Sequence, residues 1–209
     1  MGRVIADVER PLVVAATALE ARAVRRAVPG VRLVRSGMAL SRLDPAARHP
    51  TGPVITCGVA GGLVPGLATG AVLVPSRVMR PDGEFVACDP ALVEALAAAA
   101  RRLGHEPVLA PMATAHELVV GAERAAWAAR GCAGVDMETG LLHAERLASV
   151  RVVLDTPERE LHDAWRRPVT VLWRPVALAQ LPWLLAETSR CARRAAAVLA
   201  EAVLSGDAP

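Results

Sequence analysis

The chain has 209 residues, of which 53% are hydrophobic and 2% aromatic, and its formal net charge is +3. This length suits one domain with a substantial core, and no apolar run reaches the roughly 18–20 residues that a membrane span requires. Because the basic residues are scattered and aromatic side chains are scarce, we do not expect a nucleic-acid-binding surface.

The polar residues with metal-binding or redox chemistry show no functional spacing. The four cysteines form no CxxC pattern, and the five histidines lack the spacing of metal ligands. Asp7 and Glu9 interrupt the N-terminal stretch that a secretory signal would keep apolar. We therefore expect a cytoplasmic protein with free thiols and no metal site.

The first predicted unit is a strand followed by a helix. Residues 12–18 are apolar and β-branched, and a helical stretch over 19–28 closes at Pro29-Gly30. Glu20 lies just past the strand, at the edge where α/β sheets collect ligand-contacting groups. A solvent-facing glutamate in the first helical turn explains the same position equally well.

A glycine-rich segment follows the third predicted element. Residues 31–35 form a short strand, and the polar segment 38–52 holds at most a short helix. A buried strand over 53–57 then leads into GVAGGL (58–63). Three glycines in five positions predict a tight turn whose amide groups approach a ligand closely, although such a turn is more often purely structural.

Acidic residues stand out in the second half of the chain. Asp155 ends a predicted strand, as a site carboxylate or as the N-cap of a helix that starts at Pro157. In GVDMETG (134–140), Asp136 and Glu138 lie among apolar and small residues. The alternative to a site is a cap and first turn for a helix near Thr139. We predict strands over 71–78, 107–113 and 150–154, and helices over 90–103, 123–130, 139–147 and 178–204.

The alternation of strands and helices predicts the fold class. Most strands are apolar throughout, which is typical of a three-layer α/β architecture. No repeat or linker divides the chain, so residues 1–209 are predicted to form a single domain, with 174–209 as a C-terminal helical extension. The acidic residues and the glycine-rich segment at strand ends predict one cleft.

These motifs together resemble the nucleoside phosphorylase/nucleosidase superfamily, in the branch of the methylthioadenosine/S-adenosylhomocysteine nucleosidases. The chain looks closest to the group associated with hopanoid biosynthesis, because of its C-terminal tail and because Leu154 stands where nucleosidases usually carry serine. The matching segments are ALEAR (18–22), Ser36-Gly37, GVAGGL with GLATGAVLVP (58–75), VDMETG (135–140) and VRVVLDTPERE (150–160).

The resemblance implies a mixed, twisted central sheet and cleavage of the N-glycosidic bond of an adenine nucleoside. Asp155 would be the general acid that protonates the purine, and Glu20 would orient or deprotonate the attacking water. Glu138 would bind the ribose hydroxyls, and Met137 would pack against the ribose face. The remaining substrate contacts implied by the resemblance are Gly58, Ala60 and Gly61, which line the nucleophile side, and Ser36.

Three questions stay open after the resemblance. Inorganic phosphate could replace water as the nucleophile, with Arg22, Ser36 or Arg77 as candidate ligands, although Glu20 favours water because a carboxylate repels phosphate. A nucleoside-binding homologue without catalysis is a further alternative. No other cofactor is implied, and the expected substrate is an adenosyl compound with a large apolar 5′ group, such as adenosylhopane.

Two further expectations concern partners. The resemblance implies a homodimer or a higher homo-oligomer. Leu178, Leu181, Trp183 and Leu184 could form an apolar face for peripheral membrane contact, although a helix packed on the core is the favoured reading.

The chain also departs from the family pattern in two ways. Segment 38–52 is shorter than usual, and Ala39 stands where a second glycine is expected. The aromatic residues that commonly sandwich the purine are scarce, so Trp127 or the loop 114–118 is the predicted substitute.

Overall fold

The computed structural model describes residues 10–205, apart from the side chains of residues 168 and 170, so Asp7 and Glu9 lie outside the described residues. Nine strands form one sheet, with helices flanking it. The strands are β1 (Leu12–Ala15), β2 (Leu33–Arg35), β3 (Pro53–Gly62), β4 (Val72–Leu73), β5 (Arg77–Met79), β6 (Phe85–Ala87), β7 (Met112–Thr114), β8 (Gly134–Asp136) and β9 (Arg146–Asp155). The α-helices are α1 (Ala18–Ala27), α2 (Pro90–Arg102), α3 (Ala122–Ala128), α4 (Pro168–Val171), α5 (Pro175–Ala179) and α6 (Leu181–Leu204).

The sheet is mixed and twisted, as predicted. The strand order is β2-β1-β3-β8-β7-β5-β6, and β9 pairs with both β3 and β4. β3 and β9 are the longest strands, with 10 residues each, and they run parallel at the centre. β8 is antiparallel to β3, while it is parallel to β7. The α/β prediction is confirmed.

The main core lies between the sheet and three helices. α1, α2 and α6 bury apolar faces against β3 and β9, where Val24, Leu96 and Leu199 meet Ile55 and Val150. Many buried positions of α2 and α6 are alanines, whose small side chains allow helix and sheet to approach closely. The alanine-rich composition therefore builds the layer that supports the strand ends.

The glycine-rich segment does not form the predicted turn. β3 continues to Gly62, because Gly58, Val59 and Ala60 pair with β9, and the ladder shifts register only at Gly61. Glycine within a strand marks a bulge or a close approach by another group. Both occur in this segment, and the close approach is described with the site below.

The predicted helix 139–147 and the alternative in which Asp155 caps a helix at Pro157 are both wrong, for different reasons. Only a short 3₁₀ turn, Thr139–Leu141, forms in the predicted helix 139–147, and Leu147 already pairs with Val54 of β3. Sheet pairing here overrides helical propensity. No helix begins at Pro157 within the described residues, because Thr156 and Arg159 close a tight turn instead.

The remaining differences are smaller. The predicted strand 71–78 divides into β4 and β5 around Pro75, β7 begins five residues later than expected, and β6 was not predicted. Proline cannot donate to a strand ladder, which explains the division.

The predicted apolar face of the C-terminal region is only partly exposed: Leu178 is 40% exposed, and Leu181, Trp183 and Leu184 are half-buried. Leu184 packs against the main core, and the guanidinium of Arg159 lies 4.3 Å from the ring centroid of Trp183. Pro182 falls in the first turn of α6, where proline is tolerated. Among residues 10–205, no helix has the length and apolarity to cross a bilayer.

Candidate active site

The structure brings the three predicted acidic residues to one small cavity. Glu20 lies in the first turn of α1, Glu138 follows β8, and Asp155 is the last residue of β9. All three are buried, and they line a cavity of about 170 Å³ together with Met137, Ala60 and Gly61. The convergence follows from the topology, since the C-terminal ends of β1, β3 and β9 lie at the same edge of the sheet.

Glu20 is fixed by three hydrogen bonds. The amide and hydroxyl of Thr17 donate to Oε2 at 2.7 and 2.8 Å, which completes a capping box, and the amide of Val59 donates to Oε1 at 2.8 Å. The side chain is 2% exposed, so the solvent-facing alternative is wrong. The capping box therefore holds the carboxylate of Glu20 so that it faces the cavity.

Gly58 makes this position of Glu20 available. A Cβ at Gly58 would overlap the carboxyl group of Glu20 and lie 2.9 Å from Nη1 of Arg151. Gly58 itself does not line the cavity. The structure gives Gly58 a supporting role in place of the predicted substrate contact. Because glycine has no side chain, the carboxyl group of Glu20 can lie next to its backbone.

We expect Gly58→Ala to displace Glu20 from this position. Overpacking of this kind typically lowers the free energy of unfolding by about 1–3 kcal/mol. Denaturant unfolding measures this loss. Ala60→Gly, which adds no atoms beside Glu20, provides the comparison, and equal stability of Gly58→Ala and wild type would contradict the close approach.

Arg151 is the central residue that the sequence analysis missed. It lies in β9 with 1% exposure, and its Nη2 is 2.6 Å from Oδ2 of Asp136 and 3.2 Å from Oε2 of Glu138. Its Nη1 donates to the carbonyl of Val59 at 3.4 Å. The neighbouring carboxylates raise the pKa of Arg151 above its ordinary value, although burial opposes this. One cation therefore lies among three acidic side chains.

Asp136 is a structural member of this cluster. It accepts hydrogen bonds from the hydroxyls of Thr114 (2.6 Å) and Thr139, and from the amide of Thr139 at 3.2 Å. With Arg151 on the same carboxylate, its hydrogen-bonding capacity is used within the protein. The resemblance assigns Glu138 and not Asp136 to the substrate, and this geometry agrees with that choice.

Glu138 has a strongly shifted pKa. Burial and, to a smaller extent, the negative charges of Asp136 and Glu20 raise its pKa to about 8, against the opposing effect of Arg151. The amide of Ala39 donates to Oε1 at 3.3 Å. Ala39 has a φ of 50°, a left-handed conformation that favours glycine, which gives a physical reason for the glycine expected there.

This shift has a sign that can be tested on stability. The folded pKa of Glu138 lies above its ordinary value of 4.5, so its contribution to stability is fully present below pH 4.5 and is lost as the pH rises towards 8. Glu138→Gln resembles the protonated form. We expect the variant to match wild type in thermal unfolding at low pH and to exceed it above pH 8; the reverse order would contradict the shift.

Asp155 is held by a second buried arginine that the sequence analysis also missed. Nη2 of Arg124, on α3, forms an ion pair with Oδ2 of Asp155, and Nη1 donates to the carbonyl of Gly62. Nε of Arg124 lies 2.9 Å from Oε1 of Glu160. The two side chains form an ion pair, but Nε does not donate a hydrogen bond. Burial raises the pKa of Asp155, and Arg124 opposes the shift.

The walls of the cavity are aliphatic. Leu118, Val119, Val135, Leu154 and Leu161 line it. The predicted loop 114–118 thus contributes to the wall, whereas Trp127 and Phe85 do not line the cavity and pack against the core cluster behind Val119 and Val135. A planar base would contact branched aliphatic side chains here.

A much larger groove continues from this cavity. Its volume is about 780 Å³, and it shares wall residues such as Met38, Val59 and Met137 with the small cavity. Trp165, Leu184 and Leu185 line its far part, together with Arg166, Arg167 and Arg174. The two spaces therefore adjoin: the small cavity holds the three acidic residues between aliphatic walls, and the wide groove has a mixed lining of apolar and charged side chains.

Other predicted contacts lie outside this site. The Ser36 hydroxyl donates to the carbonyls of Ala15 and Gly37, and its residue is fully buried away from the cavity lining. Arg22 and Arg77 do not line either space, and the guanidinium of Arg77 lies over the ring of Phe85. Within residues 10–205, no group of three or more His, Cys, Asp or Glu side chains is arranged to hold a metal ion.

Comparison with known proteins gives fold-level matches only. No protein-family model matches the chain, and no curated protein matches it. The 5′-methylthioadenosine/S-adenosylhomocysteine nucleosidase of Helicobacter pylori matches with a TM-score of 0.71 and 14% identity, over 95% of this chain and 99% of that one. Futalosine hydrolase of the same organism matches with a TM-score of 0.71 and 14% identity, over 95% and 98% of the two chains.

A third match comes from another organism. The 5′-methylthioadenosine/S-adenosylhomocysteine nucleosidase of Neisseria meningitidis gives a TM-score of 0.66 at 18% identity, over 93% of this chain and 98% of that one. These likenesses show that the chain has the fold of these nucleosidases and of futalosine hydrolase. The closeness to the hopanoid-associated group stays a prediction.

Proposed function

We propose that this protein hydrolyses the N-glycosidic bond of an adenine nucleoside that carries a large apolar 5′ substituent. The observation that carries the proposal is the convergence of Glu20, Glu138 and Asp155 on one buried cavity. The nucleosidases that share the fold support the same reaction class. Fold alone does not determine chemistry, so the argument rests on the site.

The residue types suit the charges that develop during cleavage. As the bond to the base breaks, the sugar becomes cationic and the base anionic. Asp155 is our general acid: burial raises its pKa, which favours the protonated form that a proton donor requires. Met137 would pack against the ribose, which would lie between the carboxyl groups of Asp155 and Glu138.

Glu138 would act on the sugar. Its carboxylate form is destabilised in the empty site, as its pKa of about 8 indicates. A cationic sugar stabilises the carboxylate, so its attraction to Glu138 is greater in the transition state than in the ground state. Only interactions of that kind accelerate the chemical step.

Water is the nucleophile that the charges favour. Glu20, Asp136 and Glu138 surround the guanidinium of Arg151, so the positive charge that a phosphate would need is already compensated. Glu20 would orient the water and accept its proton. The proposal therefore includes hydrolysis without a cofactor, and phosphorolysis is its alternative.

The wide groove supports a large apolar 5′ group. Met137 lines both the small cavity and the wide groove. A ribose packed against Met137 would therefore direct its 5′ carbon towards the groove, whose volume is about 780 Å³. Trp165, Leu184 and Leu185 give the groove an apolar wall, and pockets of this size bury most of a bulky ligand. Adenosylhopane belongs to this substrate class, and we include it in the proposal.

The test uses a series of 5′-deoxyadenosine compounds with 5′ groups from methylthio to long alkyl, with and without phosphate. We expect free adenine and free sugar in both buffers, and a higher kcat/KM for the longer groups. A sugar 1-phosphate would replace hydrolysis by phosphorolysis. Thermal stabilisation by these compounds without adenine release would favour a binding protein, an alternative motivated by the ion pair that Arg124 makes with Asp155.

We also propose that the protein forms a homodimer or a higher homo-oligomer, as the resemblance implies. Light scattering of the purified chain at micromolar concentration measures the mass directly. A monomeric mass of 21.9 kDa would contradict this part of the proposal and would leave the reaction unaffected.

A further inference from the structure

Helices α4 and α5 expose an unusual apolar surface. Val169, Leu172, Trp173 and Val176 are 77%, 72%, 84% and 68% exposed, respectively. We call these four residues the α4–α5 patch. A scattered apolar side chain on a surface is ordinary, but a contiguous group that includes a tryptophan marks an interaction site.

The segment that carries the patch is anchored on its other side. Val171 and Ala177 are 4% and 0% exposed, and Trp165 donates from Nε1 to Oε1 of Gln180 at 3.1 Å. The inward residues thus bind the segment to the protein while the α4–α5 patch faces outward. Its exposure is a consequence of the fold of this segment.

The charge of the segment indicates what it contacts. Residues 164–186 contain three arginines and no acidic residue. Arg166 is paired with Glu123 at 2.5 Å, and Arg174 is exposed beside Trp173. Apolar side chains with tryptophan, bordered by arginine, match the chemistry of an anionic membrane surface, where tryptophan lies at the headgroup level and arginine meets phosphate.

A second copy of the chain fits this surface less well. In a two-fold arrangement the same patch would meet itself, and the arginines of one copy would face those of the other. Like charges brought together in this way oppose association. An anionic lipid surface attracts the exposed Arg174, and the acidic residues that line the groove, Glu117 and Asp163, lie outside segment 164–186.

The patch adjoins the mouth of the wide groove. Arg166, Arg167 and Arg174 line the groove, and Leu172, Trp173 and Val176 are their neighbours along the chain. We propose that the α4–α5 patch docks the protein on the surface of an anionic lipid bilayer, with the wide groove opening towards it. If the proposed function holds, an apolar 5′ group passes from the bilayer into the groove without crossing water.

Vesicle sedimentation of the full chain tests the docking without any nucleoside, so its result is separate from that of the proposed function. We expect binding to vesicles of phosphatidylcholine with phosphatidylglycerol, weaker binding at high salt, and little binding to phosphatidylcholine alone. Trp173→Glu should abolish binding, and Arg174→Glu should lower the partition coefficient about thirtyfold, because it changes the local charge by two units.

Leu204→Glu is the matched control, because Leu204 is 72% exposed at the far end of α6. It should bind as wild type does, and circular dichroism should show that all variants are folded. Equal binding by Trp173→Glu, or no binding of wild type to anionic vesicles, would overturn the proposal. So would self-association of wild type that Trp173→Glu removes, since the patch would then contact a second copy.

Discussion

Asp155→Asn is expected to lower kcat by about 10²–10⁴-fold, the usual contribution of a general acid, while the protein stays folded. Asparagine has nearly the same shape, but it has no proton to give to a leaving base. Glu160 remains 2.9 Å from Nε of Arg124, so that guanidinium keeps a counter-charge in the variant. Stopped assays of adenine release measure the loss, and circular dichroism checks the fold.

The matched control for this substitution is Asp44→Asn. Asp44 is exposed in a loop and makes no capping hydrogen bond, so the variant should retain full activity. If Asp155→Asn proves unstable, the double variant Asp155→Asn with Arg124→Met removes both charges of the pair and tests the same step. Near wild-type turnover in a folded Asp155→Asn protein would remove Asp155 from the mechanism.

Arg151→Met is expected to have the largest effect on stability. It would leave Glu20, Asp136 and Glu138 buried without the cation that lies among them. Removing one partner of a buried ion pair typically lowers the free energy of unfolding by about 3–5 kcal/mol. Urea unfolding at neutral pH measures the change.

A second arginine in the same strand provides the comparison. Arg146 pairs with Asp89 at 2.8 Å, and its side chain is 39% exposed. An exposed pair contributes only about 0–1 kcal/mol, so Arg146→Met should change stability little. Equal losses for the two variants would show that the acidic cluster does not depend on Arg151.

Two of the three acidic residues of the site could be predicted because each follows an apolar strand. Glu20 and Asp155 lie directly after apolar runs, and the topology of an α/β sheet brings such positions to one edge. Glu138 follows β8, a strand of three residues that no pattern marked. Its assignment came from the VDMETG resemblance.

The two buried arginines could not be identified in the same way. Arg151 had one available signal, since it is a single charge inside the apolar strand VRVVLD, and a buried charge needs a partner. Arg124 had none, because its helix reads like the other arginine-bearing helices. Its partners, Asp155 and Glu160, lie more than 30 residues away in sequence.

The glycine-rich segment shows why a correct motif can receive a wrong structure. GVAGGL is part of the site, but Gly58 is needed because Glu20 occupies the space that its side chain would fill. That requirement concerns a residue 38 positions earlier, which local sequence does not report. The helix predicted for 139–147 failed similarly, since its partner in pairing is β3.

The most direct test of the proposed hydrolysis is a single-turnover reaction with enzyme in excess over a 5′-deoxyadenosine substrate in phosphate-free buffer. Chromatography measures the adenine formed per substrate molecule. If Asp155 is the general acid of this hydrolysis, wild type converts the substrate completely to adenine and free sugar, and folded Asp155→Asn converts none on the same timescale. Absence of adenine with folded wild type, for every 5′ substituent tested, would contradict the proposed hydrolysis.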